Sequence, residues 1–365
     1  MNLLSTIRVE LGTESYPIRI GEGWIEALGQ AVNSAAPQGK IVVVTNPEIG
    51  KRWLDKVSGA LEGAGRDVEK LEIHEGEAVK NLDTVATIYD YLIERNHERS
   101  VILVALGGGV VGDIVGFAAA TFLRGVRLVQ LPTSLLAMVD SSIGGKTGVN
   151  HPLGKNLIGA FKQPCFVGIE MDFLETLPAE EFRAGMAEVV KYGMISDPAL
   201  FDYIEANVQA ICARETEPLA HIITRSCEIK AEVVSKDEFE QGLRAILNFG
   251  HTFGHAAEAL AKYKGLRHGE AVAAGMMAAC RLGENTAGFD AESTSRLGKL
   301  LTELGLPTGL PAKPIQDYVA AMRRDKKVKA TRLRFVVPKR IGEVEIRDDI
   351  EEAAAINALA NTLDN

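Results

Sequence analysis

The 365-residue sequence has only four cysteines, Cys165, Cys212, Cys227 and Cys280, spread far apart and without a CxxC pair. That spacing argues against a disulfide framework or a zinc knuckle and fits reduced, structural thiols. Positive charge is in the minority, with a formal net charge of -9, so nucleic acid is not an expected partner, although local lysines can still bind a small anion. The chain has no uninterrupted membrane-length apolar run. The longest candidate, residues 101–123, carries Asp113 and several glycines and changes periodicity partway, which reads as a buried strand, a glycine turn and a helix rather than a membrane span. The opening MNLLSTIRVELG lacks a charged n-region followed by a long apolar stretch, so the expected location is cytoplasmic. Internal repeats and low-complexity segments are also missing. With 46% hydrophobic and 24% charged residues, the chain has material for two domains with substantial cores.

The first half alternates short β-branched runs with helical patterns: IRVELG, YPIRIG, KIVVVTN, an amphipathic segment to about Gly63, DVEKLEIH, a helix from about Asn81 to Arg95, VILVALGGG, and VRLVQLPT ending at Pro132. Continuous apolar runs such as IVVVT and VILVAL suit parallel strands covered on both faces, and the alternation predicts an α/β layer. From Pro178 onward the periodicity is helical until LRFVVPKRIGEVEI near the end. The expected domains are therefore residues 1–177, a Rossmann-like α/β domain, and residues 178–365, a mainly α-helical domain.

Four constellations carry chemistry. Gly107, Gly109 and Gly112 satisfy GxGxxG between a strand and a helix, where backbone amides can hold a pyrophosphate; no Asp or Glu occurs between Asp113 and Asp140, so the acidic ribose ligand of an ordinary dinucleotide fingerprint is missing at the usual distance. The GGKTG after Asp140 resembles the end of a phosphate-binding ATPase loop, but position 140 is not glycine and no strand leads straight into it. What remains is a glycine-rich loop presenting Lys146, Lys155 and Asn156 to a phosphate or carboxylate, or else to solvent. Glu188 and Lys191, at i and i+3 on an apolar helix, are either site residues or a surface ion pair of small worth. Finally, NFGHTFGHAAEALAKYKGLRHGE (248–270) holds three of the chain's seven histidines. The i,i+4 spacing of His251 and His255 stacks both rings on one helix face, as metal ligands or as ordinary packed residues, and His268, Asn248 and Glu270 favour a site. A glutamate with two histidines is a zinc set that leaves a coordination position open, and it suits Zn²⁺ better than Mg²⁺.

Read together, GGGVVGD (107–113), LPTSLLAMVDSSIGGKTGVN (131–150), GKNLIGAF (154–161), FLETLP (173–178), GMAEVVK (185–191), GLRAILNFGHTFGHAAE (242–258) and HGEAV (268–272) resemble, in order and over nearly the whole chain, the 3-dehydroquinate synthase family of sugar phosphate cyclases. The resemblance implies an NAD-binding N-terminal domain, a helical C-terminal domain and an active site in the cleft between them. It places the family's Zn²⁺ or Co²⁺ ligands on Glu188, His251 and His268, and a substrate and proton-transfer role on His255. Substrate and phosphate contacts fall on Arg124, Asp140, Lys146, Asn156, Lys191, Lys230, Arg244 and Asn248, with Lys326 or Lys327 reaching in from the C-terminal region. Cofactor contacts fall on Asn46, Glu77, Lys80, Gly108, Gly109, Asp113, Thr133, Ser134, Lys146, Lys155 and Thr176.

The implied reaction turns 3-deoxy-D-arabino-heptulosonate 7-phosphate into 3-dehydroquinate and phosphate. It runs by transient oxidation at C4, phosphate elimination, re-reduction and intramolecular aldol closure, in a homodimer. Two rivals share the plan: a sibling cyclase acting on a sugar phosphate without a carboxylate, and a metal-dependent alcohol dehydrogenase of the glycerol type. Arg244, Asn248 and Lys230 favour a carboxylate-bearing substrate, and the GGKTG and GKN segments favour a phosphate.

Overall fold

A computed structural model describes residues 2–261, 265–325 and 333–364. The chain forms two compact units: Met1–Pro178 with Lys230–Phe239, and Ala179–Ile229 with Glu240–Asn365. A single division point does not capture this, because the segment Lys230–Phe239 belongs with the first unit while the residues on either side of it belong with the second.

The first unit is built on a seven-stranded sheet of order β1-β2-β9-β6-β5-β3-β4, with β1 (Asn2–Val9), β2 (Tyr16–Glu22), β3 (Ile41–Thr45), β4 (Val68–Glu72), β5 (Ile102–Gly107), β6 (Arg127–Pro132) and β9 (Phe166–Glu170). Only the β1–β2 pair is antiparallel. β3, β5 and β9 are buried at every position, as suits their largely apolar sequences, and the buried carboxylate that ends β9, Glu170, accepts from the Gly23, Trp24 and Ile25 amides. Helices α1 (Ile25–Ala35), the single turn α2 (Pro47–Ile49), α3 (Asp55–Gly63), α4 (Leu82–Glu94) and α5 (Gly109–Thr121) connect the strands. Asn46 caps α2 and Asn81 caps α4. Asn caps accept from amides that would otherwise lack a partner. The chain leaves β3 for β4 on one side and returns to β5 on the other, so a topological switch point lies at the carboxyl ends of β3 and β5. Open α/β sheets bind ligands at such points.

The sequence reading of Lys146, Lys155 and Asn156 as loop residues is corrected here. They lie on an antiparallel hairpin, β7 (Lys146–His151) and β8 (Gly154–Phe161). Glycine hides the alternation that marks a strand, and here it is needed for a different reason. A Cβ on Gly148 would lie 2.5 Å from Ile158 O, and one on Gly159 would lie 2.3 Å from Thr147 O.

The second unit contains α6 (Ala179–Ser196), α7 (Pro198–Cys212), most of α8 (Thr216–Lys236), α9 (His251–Leu260), α10 (His268–Thr286), α11 (Ala291–Glu303), α12 (Ile315–Asp325), the hairpin β10 (Phe335–Arg340) and β11 (Glu343–Arg347), and α13 (Glu352–Ala360). α6 and α10 are buried along almost their whole length. Among the described residues, no helix is long and apolar enough to cross a membrane.

Candidate functional site

In the first unit, five of the expected cofactor residues, Asn46, Gly108, Gly109, Thr133 and Ser134, lie at the switch point. Gly107 pairs with Pro132, so Thr133 and Ser134 leave β6 beside the glycine turn, and Asn46 leaves β3 on the other side. Thr133 N donates to Gly107 O at 3.0 Å, tying the two strand ends together. Helix α5 starts from Gly108 with no side chain capping it. The amides of its first turn therefore point at a half-exposed corner with no side-chain acceptor supplied by the cap, and the helix dipole adds positive potential there. A Cβ on Gly108 would meet only Ser134 Oγ, at 3.5 Å, so the corner is open to a ligand. Gly112 serves packing instead: a Cβ would press on Gln130 Oε1 at 3.0 Å, and Gln130 Nε2 donates to Gly112 O at 3.2 Å. Thr176 lies on a 3-10 turn and accepts from Trp53 Nε1 at 3.2 Å.

A polar network adjoins this corner. Buried Lys80 Nζ donates to Asp113 Oδ2 at 2.5 Å and to Asn156 Oδ1 at 2.6 Å. Asn150 Nδ2 donates to Glu77 Oε1 at 2.8 Å, while Lys155 Nζ stands 4.0 Å from the same oxygen. Burial pushes the Asp113 carboxyl above its ordinary range, and the Lys80 ammonium pulls it back down without cancelling the effect. Asn156 adopts φ +53°, a left-handed conformation that asparagine tolerates. Lys230 Nζ donates to both Asp140 O (2.6 Å) and Asp140 Oδ1 (2.5 Å), which gathers two expected substrate residues from distant sequence. Lys146 and Arg124 are exposed, and Leu123, Arg124 and Gly125 run through three successive positive φ values, +46°, +66° and +121°.

In the second unit, three helices bring together Glu188 from α6, His251 from α9 and His268 from α10. Glycine makes this approach possible. A Cβ on Gly269 would lie 1.9 Å from Ala184 O, one helical turn before Glu188. One on Gly254 would lie 2.8 Å from Ala271 O, and one on Gly275 would lie 2.1 Å from Gly250 O. With hydrogen in those positions the backbones touch, and Glu188 Oε1 comes to 3.6 Å from His251 Nε2 and 3.7 Å from His268 Nε2.

The donors are oriented from behind. His251 Nδ1 faces Phe249 O at 3.1 Å, and His268 Nδ1 faces Glu258 Oε2 at 3.2 Å. Each outer nitrogen donates, so each Nε2 lone pair is turned toward the carboxylate. Burial, with Lys191 and the other two imidazoles nearby, holds the His251 pKa well below 6.5 and the ring neutral.

Glu188 is fully buried, and Lys191, in ion-pair contact with its Oε2, is 1% exposed; the reading of this pair as a surface ion pair does not hold. Glu188 Oε1 accepts no hydrogen bond. Lys191 meets Glu188 at Oε2, so Oε1 faces the neutral His251 ring and His268 Nε2 without a hydrogen bond of its own, an arrangement that a cation shared by the three would stabilise. The three donors are also mutually close enough to share an ion. The residues therefore fit a divalent metal of the Zn²⁺ type.

A second possible donor set, His255, Glu258 and His268, shares His268. The His255 ring centre lies 5.2 Å from that of His251 and 5.8 Å from that of His268, so the i,i+4 spacing does put it beside the cluster. Asn248 Nδ2 donates to Glu240 Oε1 at 2.7 Å, and Arg244 is buried. Glu270, read from sequence as flanking the site, instead caps α10, accepting from Arg267 N at 2.8 Å. Lys326 and Lys327 lie outside the described residues. The sequence reading missed Glu258, although its spacing from His251 (i+7) and His255 (i+3) places it on their helix face.

Residues 70–184 match the family model for the 3-dehydroquinate synthase N-terminal region, and residues 185–328 match that for the C-terminal region. A 3-dehydroquinate synthase of Nostoc punctiforme is 49% identical over 351 residues, covering 95% of this chain and 97% of the relative. The chain belongs to the 3-dehydroquinate synthase family. Among solved structures, a 2-epi-5-epi-valiolone synthase from Streptomyces hygroscopicus with NAD⁺ and Zn²⁺ bound superposes with TM-score 0.87 at 26% identity, covering 99% of this chain and 98% of that one. A 2-deoxy-scyllo-inosose synthase complexed with carbaglucose-6-phosphate, NAD⁺ and Co²⁺ gives TM-score 0.88 at 24% identity, covering 98% and 100%, and shares the fold.

Proposed function

We propose that this chain converts 3-deoxy-D-arabino-heptulosonate 7-phosphate into 3-dehydroquinate and inorganic phosphate, using NAD and one Zn²⁺ or Co²⁺ ion. The observation that carries the metal part is Glu188 Oε1, buried without a donor and faced by two imidazole nitrogens. Membership of the family supplies the substrate. When bound, NAD provides reversible hydride transfer at C4 and the divalent ion provides Lewis acidity at the reacting hydroxyl.

The protein's share is binding, orientation and charge. Glu188, His251 and His268 would hold the ion, and the bare N-terminus of α5 at Gly108–Gly109 would hold the pyrophosphate of the dinucleotide. Asn46, Thr133 and Ser134, at the strand ends beside that corner, are assigned to the dinucleotide together with Thr176, as are Glu77, Lys80, Asp113 and Lys155 of the polar network. Lys230, Arg244 and Asn248 are assigned to the carboxylate end of the substrate, and Arg124, Lys146 and Asn156 to its phosphate. Charge-assisted bonds at both ends fix the middle of the molecule for reaction. Lys191 and Asp140 complete the polar lining, and His255 is assigned to proton transfer at its imidazole. A homodimer is expected, and sedimentation at assay concentration tests it.

The deciding assay incubates the purified protein with the heptulosonate phosphate and catalytic NAD⁺. The proposal expects continuous phosphate release with no accumulation of NADH. Turnover of sedoheptulose 7-phosphate or glucose 6-phosphate in its place would identify a sibling cyclase. Stoichiometric NADH formation from glycerol would identify an alcohol dehydrogenase.

A further inference from the structure

We infer that Glu258 is a positioning residue that sets the metal affinity of the cluster by orienting His268. This rests on the reading of Glu188, His251 and His268 as the metal ligands. Glu258 is 3% exposed, lies on α9 and places Oε2 3.2 Å from His268 Nδ1, on the far side of the ring from Glu188. A carboxylate there accepts the Nδ1 proton, which puts the lone pair on Nε2, the nitrogen 3.7 Å from Glu188 Oε1. A backbone carbonyl, Phe249 O, does the same for His251. The two imidazoles are thus held in one tautomer by two different devices, and only the one behind His268 is a charged side chain.

Two consequences follow from the charge. A carboxylate behind an imidazole raises the basicity of the ligating nitrogen and fixes the ring plane. His268 needs this help more than His251, because its side chain is 32% exposed against 11% and is the first residue of α10, so it is less confined by packing. The same hydrogen bond engages Glu258 as an acceptor. The alternative donor set of His255, Glu258 and His268 would need that hydrogen bond broken, so the inference assigns the ion to Glu188, His251 and His268.

The test measures Zn²⁺ affinity by chelator competition and the visible spectrum of the Co²⁺-loaded protein, for the wild type, Glu258→Gln and His268→Ala. Tautomer and ring-orientation losses of this kind weaken metal binding by about 10- to 100-fold. Glu258→Gln is therefore expected to bind one equivalent roughly 10- to 100-fold more weakly, with shifted Co²⁺ bands and an unchanged melting temperature of the metal-free form. His268→Ala is expected to lose the ion altogether.

If Glu258→Gln binds Zn²⁺ within about threefold of the wild type with the same Co²⁺ spectrum, the inference is overturned while the metal site stands. Loss of all metal in Glu258→Gln while His268→Ala retains it would overturn the inference as well, since Glu258 would then be a ligand itself. If the wild type binds no metal, or His268→Ala binds as the wild type does, the metal reading itself fails. Should Glu258→Gln not fold, Glu258→Asp carries the test: a carboxylate withdrawn from Nδ1 is expected to give weakened affinity, and wild-type affinity would count against the inference.

Discussion

A Cβ added at Gly108, where α5 begins, would meet a single hydroxyl at 3.5 Å, whereas one added at Gly269, where α10 begins, would lie 1.9 Å from the backbone oxygen of Ala184. The first glycine leaves room for something that is not protein, and the second lets two helices touch. The corner at α5 is therefore a main-chain device made by one strand-turn-helix segment. The cluster on α6, α9 and α10 is a side-chain device that exists only while three helices are pressed together. The comparison predicts that the two sites fail differently when altered.

The largest effect is expected at the side-chain device. His268→Ala removes one of the three proposed ligands, so metal content should fall to background, and turnover should drop by about a thousandfold or more, the worth of several kcal/mol of Lewis-acid stabilisation. NAD binding, measured separately by calorimetry, should survive. Retention of both metal and turnover would contradict the ligand assignment.

Gly269→Ala comes next. Forcing a methyl group against Ala184 should cost about 1–3 kcal/mol, seen as a melting temperature lowered by roughly 3–10 °C together with weakened metal binding. Gly108→Ala sharpens the contrast: it should leave the melting temperature within about 1 °C and metal content unchanged, yet weaken NAD binding about tenfold, because the methyl group occupies the ligand's space rather than the protein's. A loss of stability in Gly108→Ala with normal NAD affinity would reverse the comparison.

The smallest effect concerns pH. The pKa of His251 in the folded protein lies well below 6.5, so acidification protonates the unfolded chain first. Stability of the metal-free protein contributed by this residue is present above 6.5 and is lost as the pH falls from there toward the folded value. Urea midpoints of the metal-free protein between pH 7 and 5 check the sign, and His251→Gln should flatten part of that dependence.

The same contrast explains what was legible in the sequence. IVVVT and VILVAL are parallel strands buried on both faces, and hydrophobic continuity marks them, while VRLVQLPT is a β-branched and apolar run interrupted by Arg127 and Gln130 and ended by Pro132; each appears where expected, at Ile41–Thr45, Ile102–Gly107 and Arg127–Pro132. The helix expected from Asn81 begins at its asparagine cap. The glycine corner was legible because its residues are contiguous.

The β7–β8 hairpin was not, since its glycines at 148 and 159 are required by backbone crossing and erase the apolar alternation. Nor was the attachment of Lys230–Phe239 to the first unit, which no local pattern encodes. At the candidate metal site, helical spacing marked His251 and His255 as neighbours, but Glu188 and His268 come from other helices, and their convergence depends on contacts such as Gly269 against Ala184. Residue spacing within one segment cannot report such a meeting, so the assignment of Glu188 and His268 as ligands was reached through resemblance. Glu258 shows the converse: its spacing was available, and only the tertiary position of His268 gives it meaning.

The most direct measurement is an anomalous-difference map from crystals of the Co²⁺-loaded protein, collected at the cobalt edge. The account predicts one peak, bonded to His251 Nε2, His268 Nε2 and a Glu188 oxygen at about 2.0–2.2 Å. A peak held by His255 and Glu258 with Glu188 uninvolved, or no peak at full cobalt occupancy in solution, would contradict it.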